Sequence, residues 1–500
     1  MISARQLVLI VLLLTAILLP RVFNLDVFRT PDEDRWISRT ASFTRELSFG
    51  RLDRLLWSPT PGTTTHWLGA LTVRFNDWQT KKLPLALGQA LLIALAGYLA
   101  WRLWGKTTAF FLTLLLALNP HLIAQARVYG TDGLLPVLII ISFLSLWLWQ
   151  KTNANRYLFL SGFASAAAVL SKLPGLIIVP LLLIAIALYL IPQKGTVKHK
   201  IQNTIYKTLL WLLAFLVGAI LILPSLAITP AAVIDNILET FRSEGYTTLH
   251  AYGSNYYPRV LLFFSTPLEL LSVFLIPVAL LIHRRSKSSP PPTRHLLWLL
   301  ATAAFFYLAM SLGDKKGYRY LVPVFSLLDV ALAITVAWLI TALVNRKVRR
   351  AATIALGIFA ALFTIQLLDI INIYPHVLAY TNPITRNRIG EMQYGWGEGL
   401  DEAAAYLNAK PNASELTVAS YYPNEFGHYF IGETKPAHQH DQNCDYVVIY
   451  RAMFGRGLNE WETDIINQYR RQTPEKIISY RNVPFVWIYN TTPPNPPAKP

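Results

Sequence analysis

Ten stretches of this chain are nearly free of charge: residues 7–20, 83–101, 107–118, 134–149, 173–191, 209–228, 260–282, 296–312, 320–344 and 351–373. Most reach or approach the roughly 18–20 apolar residues that carry a helix across a ~30 Å hydrocarbon layer. An eleventh, 157–170, is shorter and is set apart from the next by Lys172 and Pro174. The apolar residues are clumped rather than periodic, so a water-soluble core with polar outer faces does not account for them. Only 15% of the 500 residues are charged, against about 25% in soluble domains. The chain therefore reads as a polytopic α-helical membrane protein with about eleven candidate spans.

The formal net charge of +17 is explained by position rather than by nucleic acid. Arg102 and Lys106; Lys151 and Arg156; Lys194, Lys198, Lys200 and Lys207; Arg284, Arg285, Lys287 and Arg294; and Arg346, Lys347, Arg349 and Arg350 fall in alternate loops that hold no Asp or Glu. Loops of that kind stay on the cytoplasmic side of a cell membrane. Counting spans from them puts the N-terminus inside and the C-terminal region outside. The first outer loop, 26–82, also holds Arg29, Arg35, Arg39, Arg45, Arg51 and Arg54, but mixed with acids; these suit acids, phosphates or lipid head groups. Cys444 is the sole cysteine, so no intrachain disulfide forms. The first apolar segment lacks a small-x-small cleavage pattern and reads as a retained anchor.

Within the outer loop, residues 34–47 predict an amphipathic helix bearing Trp36, Ala41, Phe43 and Leu47, able to lie in the interface plane. Beyond residue 373 the composition changes. Residues 398–409 and 460–472 predict helices, and 416–420, 446–450 and 485–489 predict strands. The division expected is a membrane domain, 1–373, and a small extracytoplasmic α/β domain, 374–500, ending in a disordered Pro-rich tail.

Asp32, Glu33 and Asp34 follow the first span directly. Carboxylates so near a bilayer usually have a partner or a task, although a solvated helix start capped by Thr30 would use the same residues. Asp132, in the second outer loop, falls on the same side; it suits either a site or an N-cap. Two acidic sites on one face fit deprotonation of a hydroxyl beside a phosphate. Arg127, Lys172, Lys315, Lys316 and Arg319 are cations at an outer boundary, where they oppose the usual bias, so a bound anion or head-group contact is expected. His250, Tyr252, Tyr256 and Tyr257 could hold a sugar ring or form part of an interfacial aromatic belt. No P-loop, dinucleotide-binding glycine motif, HExxH or paired-cysteine motif occurs.

The order of these features resembles the GT-C membrane glycosyltransferases, and in particular glycosyltransferase family 39 with its protein O-mannosyltransferase and aminoarabinose transferase relatives. The matching residues are Asp32-Glu33 with Trp36, Arg39 and Phe43; Pro61-Gly62 with Thr64, Trp67 and Leu68; Arg127 with Asp132; Ser171-Lys172-Leu173-Pro174-Gly175; and Arg319-Tyr320-Leu321-Val322-Pro323. Thr60 departs from the His that relatives often carry before Pro-Gly. Tyr374-Pro375-His376, Tyr380-Thr381-Asn382-Pro383 and the segment from Gly395 to Leu400 are similar to a bacterial branch with an added outer domain. The resemblance implies transfer of a sugar from a polyprenyl-phosphate donor in the membrane lipid to a hydroxyl of a protein, lipid or polysaccharide acceptor, with inversion. Asp32 would be the general base. Glu33 and Asp132 would orient the acceptor or a divalent ion, and Arg319 and Lys172 would hold the phosphate. A transporter or lipid flippase is the competing expectation, with sites near the bilayer midplane; a receptor using the outer domain is a third.

Overall fold

The computed structural model describes residues 3–56, 60–191, 196–245, 253, 255–284, 293–313, 316–345, 348–440, 443–454 and 460–491. The membrane region is built from α1 (Ala4–Val22), α2 (Glu33–Ser48), α3 (Thr63–Gly69), α4 (Trp78–Trp104), α5 (Lys106–Ala117), α6 (Pro120–Ala126), α7 (Leu135–Thr152), α8 (Asn155–Ser171) and α9 (Ile178–Leu190). It continues with α10 (Val197–Ile222), α11 (Ser225–Ile228), α12 (Pro230–Gly245), α13 (Tyr256–Phe264), α14 (Pro267–Arg284), α15 (Thr293–Leu312), α16 (Val322–Asn345) and α17 (Arg349–Ile373). Among the described residues, seven segments are long and apolar enough to cross a membrane, and up to nine if two bent pairs each count as one span. Each apolar run falls on helix. Two are interrupted: 209–228 breaks ahead of Pro224, and 260–282 turns through 102° ahead of Pro267, where proline cannot continue the ladder. The apolar stretch of α1 and the 17-residue α8 are shorter than a full span.

Side chains invert the usual pattern of a soluble protein. Ile201, Ile205, Leu209, Leu213 and Leu216 of α10 point outward, whereas Ser161, Gly162 and Ser165 of α8 lie in the helix–helix contact. A Cβ on Gly162 would stand 2.6 Å from the Trp211 carbonyl oxygen, so only glycine permits this approach. The helix breaks satisfy each other. Asn119 caps α6 by accepting from the Leu122 amide at 3.0 Å, and its Nδ2 donates to Glu269 at 2.9 Å and Asp329 at 2.8 Å. Glu269 in turn accepts from the Thr266 amide at the start of α14. Non-helical backbone at this depth requires such partners.

After α17 come α18 (Leu400–Asn408), β1 (Thr417–Ser420), α19 (Pro423–Gly427), β2 (Glu433–Pro436), β3 (Tyr446–Tyr450), α20 (Glu460–Arg470), β4 (Lys476–Tyr480) and β5 (Val483–Asn490). They form a five-stranded sheet of order β2-β1-β3-β5-β4, parallel from β2 to β3 and antiparallel thereafter. Alternation along β3 sends Val448 and Tyr450 to the face shared with α18, and Val447 and Ile449 to the face shared with α20. The three expected strands and both expected helices are present. The two edge strands β2 and β4 are short and carry charge or proline, as edges do, so alternation did not mark them. The Pro-rich tail lies outside the described residues.

Asp369, near the end of α17, accepts from both nitrogens of Arg386 at 2.6 and 3.1 Å and from Arg481 at 3.0 Å. This bidentate pair anchors the sheet domain to the membrane helices.

Candidate active site

The connection from α1 to α2 sets the site. Asp32 is the first residue before α2 and makes no capping bond to it. Its carboxylate accepts from Arg35 at 2.6 Å and from Arg319 at 3.1 Å. Arg319, on the 3-10 turn Tyr318–Leu321 leading into α16, also brings its Nε to 3.9 Å from Asp132. Asp132 accepts from Lys172 at 2.5 Å, and Lys172 lies over the Tyr320 ring at 4.4 Å. The result is one row of alternating charge, Arg35–Asp32–Arg319–Asp132–Lys172, drawn from four segments distant in sequence. Asp132 does not cap α7, which begins at Leu135.

On one side the row opens into a cavity of 300 Å³ lined by Asp32, Arg35, Lys316, Arg319, Tyr256 and the segment from Gln393 to Trp396. Asp132 lies behind Arg319, where it lines a much smaller hollow with Lys172 and Tyr320. Four cations thus surround two carboxylates, a surplus that favours an incoming anion. Burial works to raise the Asp32 pKa, but Arg319, Arg35 and Lys172 outweigh it and hold the carboxyl below its usual range. Gln393 Oε1 and the Tyr394 hydroxyl, both on the cavity wall, are buried without a protein partner. Buried polar atoms left this way fit a ligand's hydroxyls or ordered water.

Two expected site residues have other work. Glu33 is fully buried and faces away from the cavity row: it accepts from Lys82 Nζ at 2.9 Å, the Tyr129 amide at 2.6 Å and the Thr30 amide at 2.8 Å. Lys82 also donates to the Phe28 carbonyl at 3.0 Å. The pair ties α4, the Asp132 loop and the Asp32 loop together, so Glu33 holds the framework of the site and does not line the cavity. Lys82→Met is expected to cost about 3–5 kcal/mol, because it strands a buried carboxylate; Glu33→Gln combined with Lys82→Met should recover part of that loss. Thermal unfolding of the three variants checks this, and a single variant as stable as the parent refutes it. Arg127 is the second case. Its guanidinium donates to the carbonyls of Pro20, Phe23 and Asn24 at 2.6–3.1 Å and to the Tyr374 hydroxyl at 2.9 Å. It caps the C-terminus of α1, where free carbonyls attract a cation, and it does not line the cavity beside Asp32.

Tyr256 lines the cavity, whereas Tyr257 is buried and accepts from the Gly317 amide at 3.5 Å, supporting the turn that carries Arg319. His250, Tyr252 and Lys315 lie outside the described residues. Among the described residues no three His, Cys, Asp or Glu side chains converge as a metal would require, and the candidate carboxylates are engaged by Arg319, Lys172 and Lys82. As placed, these residues do not form a three-ligand metal site. The expected amphipathic helix is α2, but Trp36 and Phe43 pack against protein, with Leu85 and Tyr129 and with Leu170 and Leu223 respectively.

Trp396 was not among the expected site residues. Its ring lies 3.6 Å from the Arg319 guanidinium and flattens that group against the two carboxylates. Glu398 holds it there, accepting from the Trp396 amide at 2.5 Å and the Tyr450 hydroxyl at 2.6 Å. Gly397, at φ +108°, passes so close to the Asp32 loop that a Cβ would sit 2.5 Å from the Arg29 carbonyl oxygen. The Gly395-Trp396-Gly397 spacing was the visible signal; its contact with a residue 77 positions earlier was not.

Residues 72–232 match the family model described as dolichyl-phosphate-mannose-protein mannosyltransferase. The chain is structurally similar to ArnT from Cupriavidus metallidurans in the apo state, with a TM-score of 0.53 and 14% identity over 97% of this chain and 98% of that one. The same protein bound to undecaprenyl phosphate gives a TM-score of 0.50 and 14% identity, covering 98% and 99%. No curated protein sequence matches the chain at comparable significance.

Proposed function

We propose that this chain is a multi-pass membrane glycosyltransferase of the GT-C type, a reading its family-matched segment and its fold support, and that it moves a sugar from a polyprenyl-phosphate carrier to an acceptor hydroxyl, with inversion and with Asp32 as general base. The charge row opening on a sugar-sized cavity at the ends of the membrane helices carries this reading. A lipid-linked donor accounts for that placement: the tail stays among lipid while the sugar-phosphate enters a polar hollow. That a related fold holds undecaprenyl phosphate supports the carrier class. In the same reading the N-terminus is cytoplasmic, and residues 374–500 form a domain on the extracytoplasmic face of the cell membrane.

The chemistry follows from the charges. The acceptor oxygen attacks the anomeric carbon from the side opposite the phosphate, its proton passes to Asp32, and the carbon–oxygen bond to the phosphate breaks. The departing polyprenyl phosphate gains one negative charge, which Arg319 and Lys172 stabilise as it develops. Asp32 assists while the bond forms, since a sugar hydroxyl is too weak an acid to ionise beforehand. Donor phosphate and carboxylate compete for Arg319. Binding the donor therefore draws the guanidinium off Asp32 and makes that carboxylate a stronger base when it is needed.

This predicts a distinctive pH dependence. The active form is the carboxylate, so activity falls as pH drops through the Asp32 pKa. In free protein that pKa is held below its ordinary value of 3.8, so the acid limb of kcat/KM lies below about pH 4. In the donor complex the cation is shared, and the acid limb of kcat lies at higher pH. Transfer of radiolabelled sugar from polyprenyl-phosphate donors in proteoliposomes, followed across pH, checks both the reaction and the split. Coincident limbs would remove the competition; the absence of released polyprenyl phosphate would remove the reaction.

A further inference from the structure

The sheet domain holds a second cavity, of 540 Å³, larger than the one beside Asp32. We propose that it binds an acidic sugar, one bearing a carboxylate or a phosphate, as part of the acceptor.

The floor of this cavity is a consequence of strand register. Ile449 of β3 pairs with Trp487 of β5, and Trp487 pairs with Ile477 of β4, so three adjacent strands present one aligned apolar ladder. The helix α20 covers that sheet face at Ile465 and Tyr469, over Val447 and Tyr489. It is only 11 residues long, and the Ile449–Trp487–Ile477 ladder is left facing the cavity. Trp487 is half-buried and stands against Phe454 with ring centroids 4.9 Å apart. A fixed, partly open indole at the base of a concavity is a stacking surface for a sugar ring, which presents axial C–H groups on one face.

The wall supplies charge. Arg451 lines the cavity and is 3% exposed, and no carboxylate pairs with it among the described residues. Its Nη1 donates to the Pro484 carbonyl at 2.9 Å and its Nη2 to the Gly390 carbonyl at 2.5 Å, while its Nε has no partner. Carbonyls hold the guanidinium in place without neutralising it. The other two arginines of the wall are paired, Arg386 with Asp369 and Arg470 with Glu391. One buried, oriented, uncompensated cation beside an indole selects a ring that carries negative charge.

The two cavities are lined by neighbouring strips of one segment. Arg386 to Glu391 border the sheet-domain cavity, and Gln393 to Trp396 border the one beside Asp32. Arg451 lies 4.4 Å from the Tyr394 ring. An acceptor held by its acidic sugar in the larger cavity would thus reach past one strip of chain toward Asp32. This last step rests on the transferase reading; the binding itself does not.

The test uses full-length protein in detergent, with methyl glucuronide, glucose 6-phosphate and methyl glucoside as probes in saturation-transfer NMR titrations. The two acidic probes should bind at least about tenfold more tightly than the neutral one, the usual scale of one charge-assisted contact. Which acid binds better separates a carboxylated from a phosphorylated acceptor. Ile477→Glu is 43% exposed in the parent, so it folds while placing a negative charge at the floor; it should abolish acidic binding. Trp487→Ala should weaken all three probes. Equal affinity for charged and neutral probes, or unchanged binding in Ile477→Glu, overturns the proposal. Selective binding in a protein that transfers no lipid-linked sugar would leave the cavity assigned and the transferase reading refuted.

Discussion

Asp32→Asn is expected to lower kcat by about 10²–10⁴-fold, the range for loss of a general base, with the donor bound as tightly as before or more so. The asparagine keeps the shape and one acceptor oxygen for Arg319, so the turn that carries the arginine stays in place. It loses the proton acceptor for the acceptor hydroxyl. It also removes one of the two carboxylates that compete with donor phosphate for the Arg319 guanidinium, now 3.1 Å from Asp32. The two effects have opposite signs, and that combination separates a base from a ligand for the donor. A phosphate-binding or purely structural role would weaken donor binding or melt the protein. Single-turnover transfer in proteoliposomes, with donor affinity measured by competition, reads both numbers. Turnover within a few-fold of the parent would take Asp32 out of the chemistry.

The membrane half of this molecule was legible because lipid leaves few options. Backbone groups at depth must be paired within a helix, so uncharged runs translate into helices almost one for one. The breaks were less legible. Nothing local to Asn119 shows that its amide will reach Glu269 and Asp329, 150 and 210 positions away. Asp32, Asp132, Lys172 and Arg319 could be listed as charges near one surface, yet the alternation that gives them meaning is tertiary. Glu33 and Arg127 show the converse. Each has the right chemistry and falls beside a site residue, but a helix start needed its loop tied down and a helix end needed its carbonyls capped. Side-chain type alone does not separate these tasks from ligand binding, because both call for a buried charge with several hydrogen bonds. Trp396 was hidden for a third reason: it enters the site from the segment leading into the sheet domain, whose docking rests on Asp369 and on the close crossing at Gly397.

Replacing Arg319 is the second severe change, and its signature should be the reverse of the first. Arg319→Ala removes the cation that both carboxylates face and that the leaving phosphate needs, a loss of about 2–5 kcal/mol for a buried charged pair. That corresponds to roughly 30- to 4,000-fold weaker donor binding. Arg319→Lys should recover little of it. A single ammonium cannot reproduce the planar fork that spans from Asp32 to Asp132 while lying flat on Trp396. A further effect follows at Asp32. With Arg319 gone, burial is opposed only by Arg35 and Lys172, so the carboxyl pKa rises. Any residual activity of the alanine variant should therefore lose its acid side at higher pH than the parent, and added guanidinium should restore both affinity and the lower limb. Donor affinity measured with and without guanidinium across pH tests the whole linkage. If Arg319→Ala binds donor normally, the phosphate is held elsewhere and the charge row is only a structural clasp.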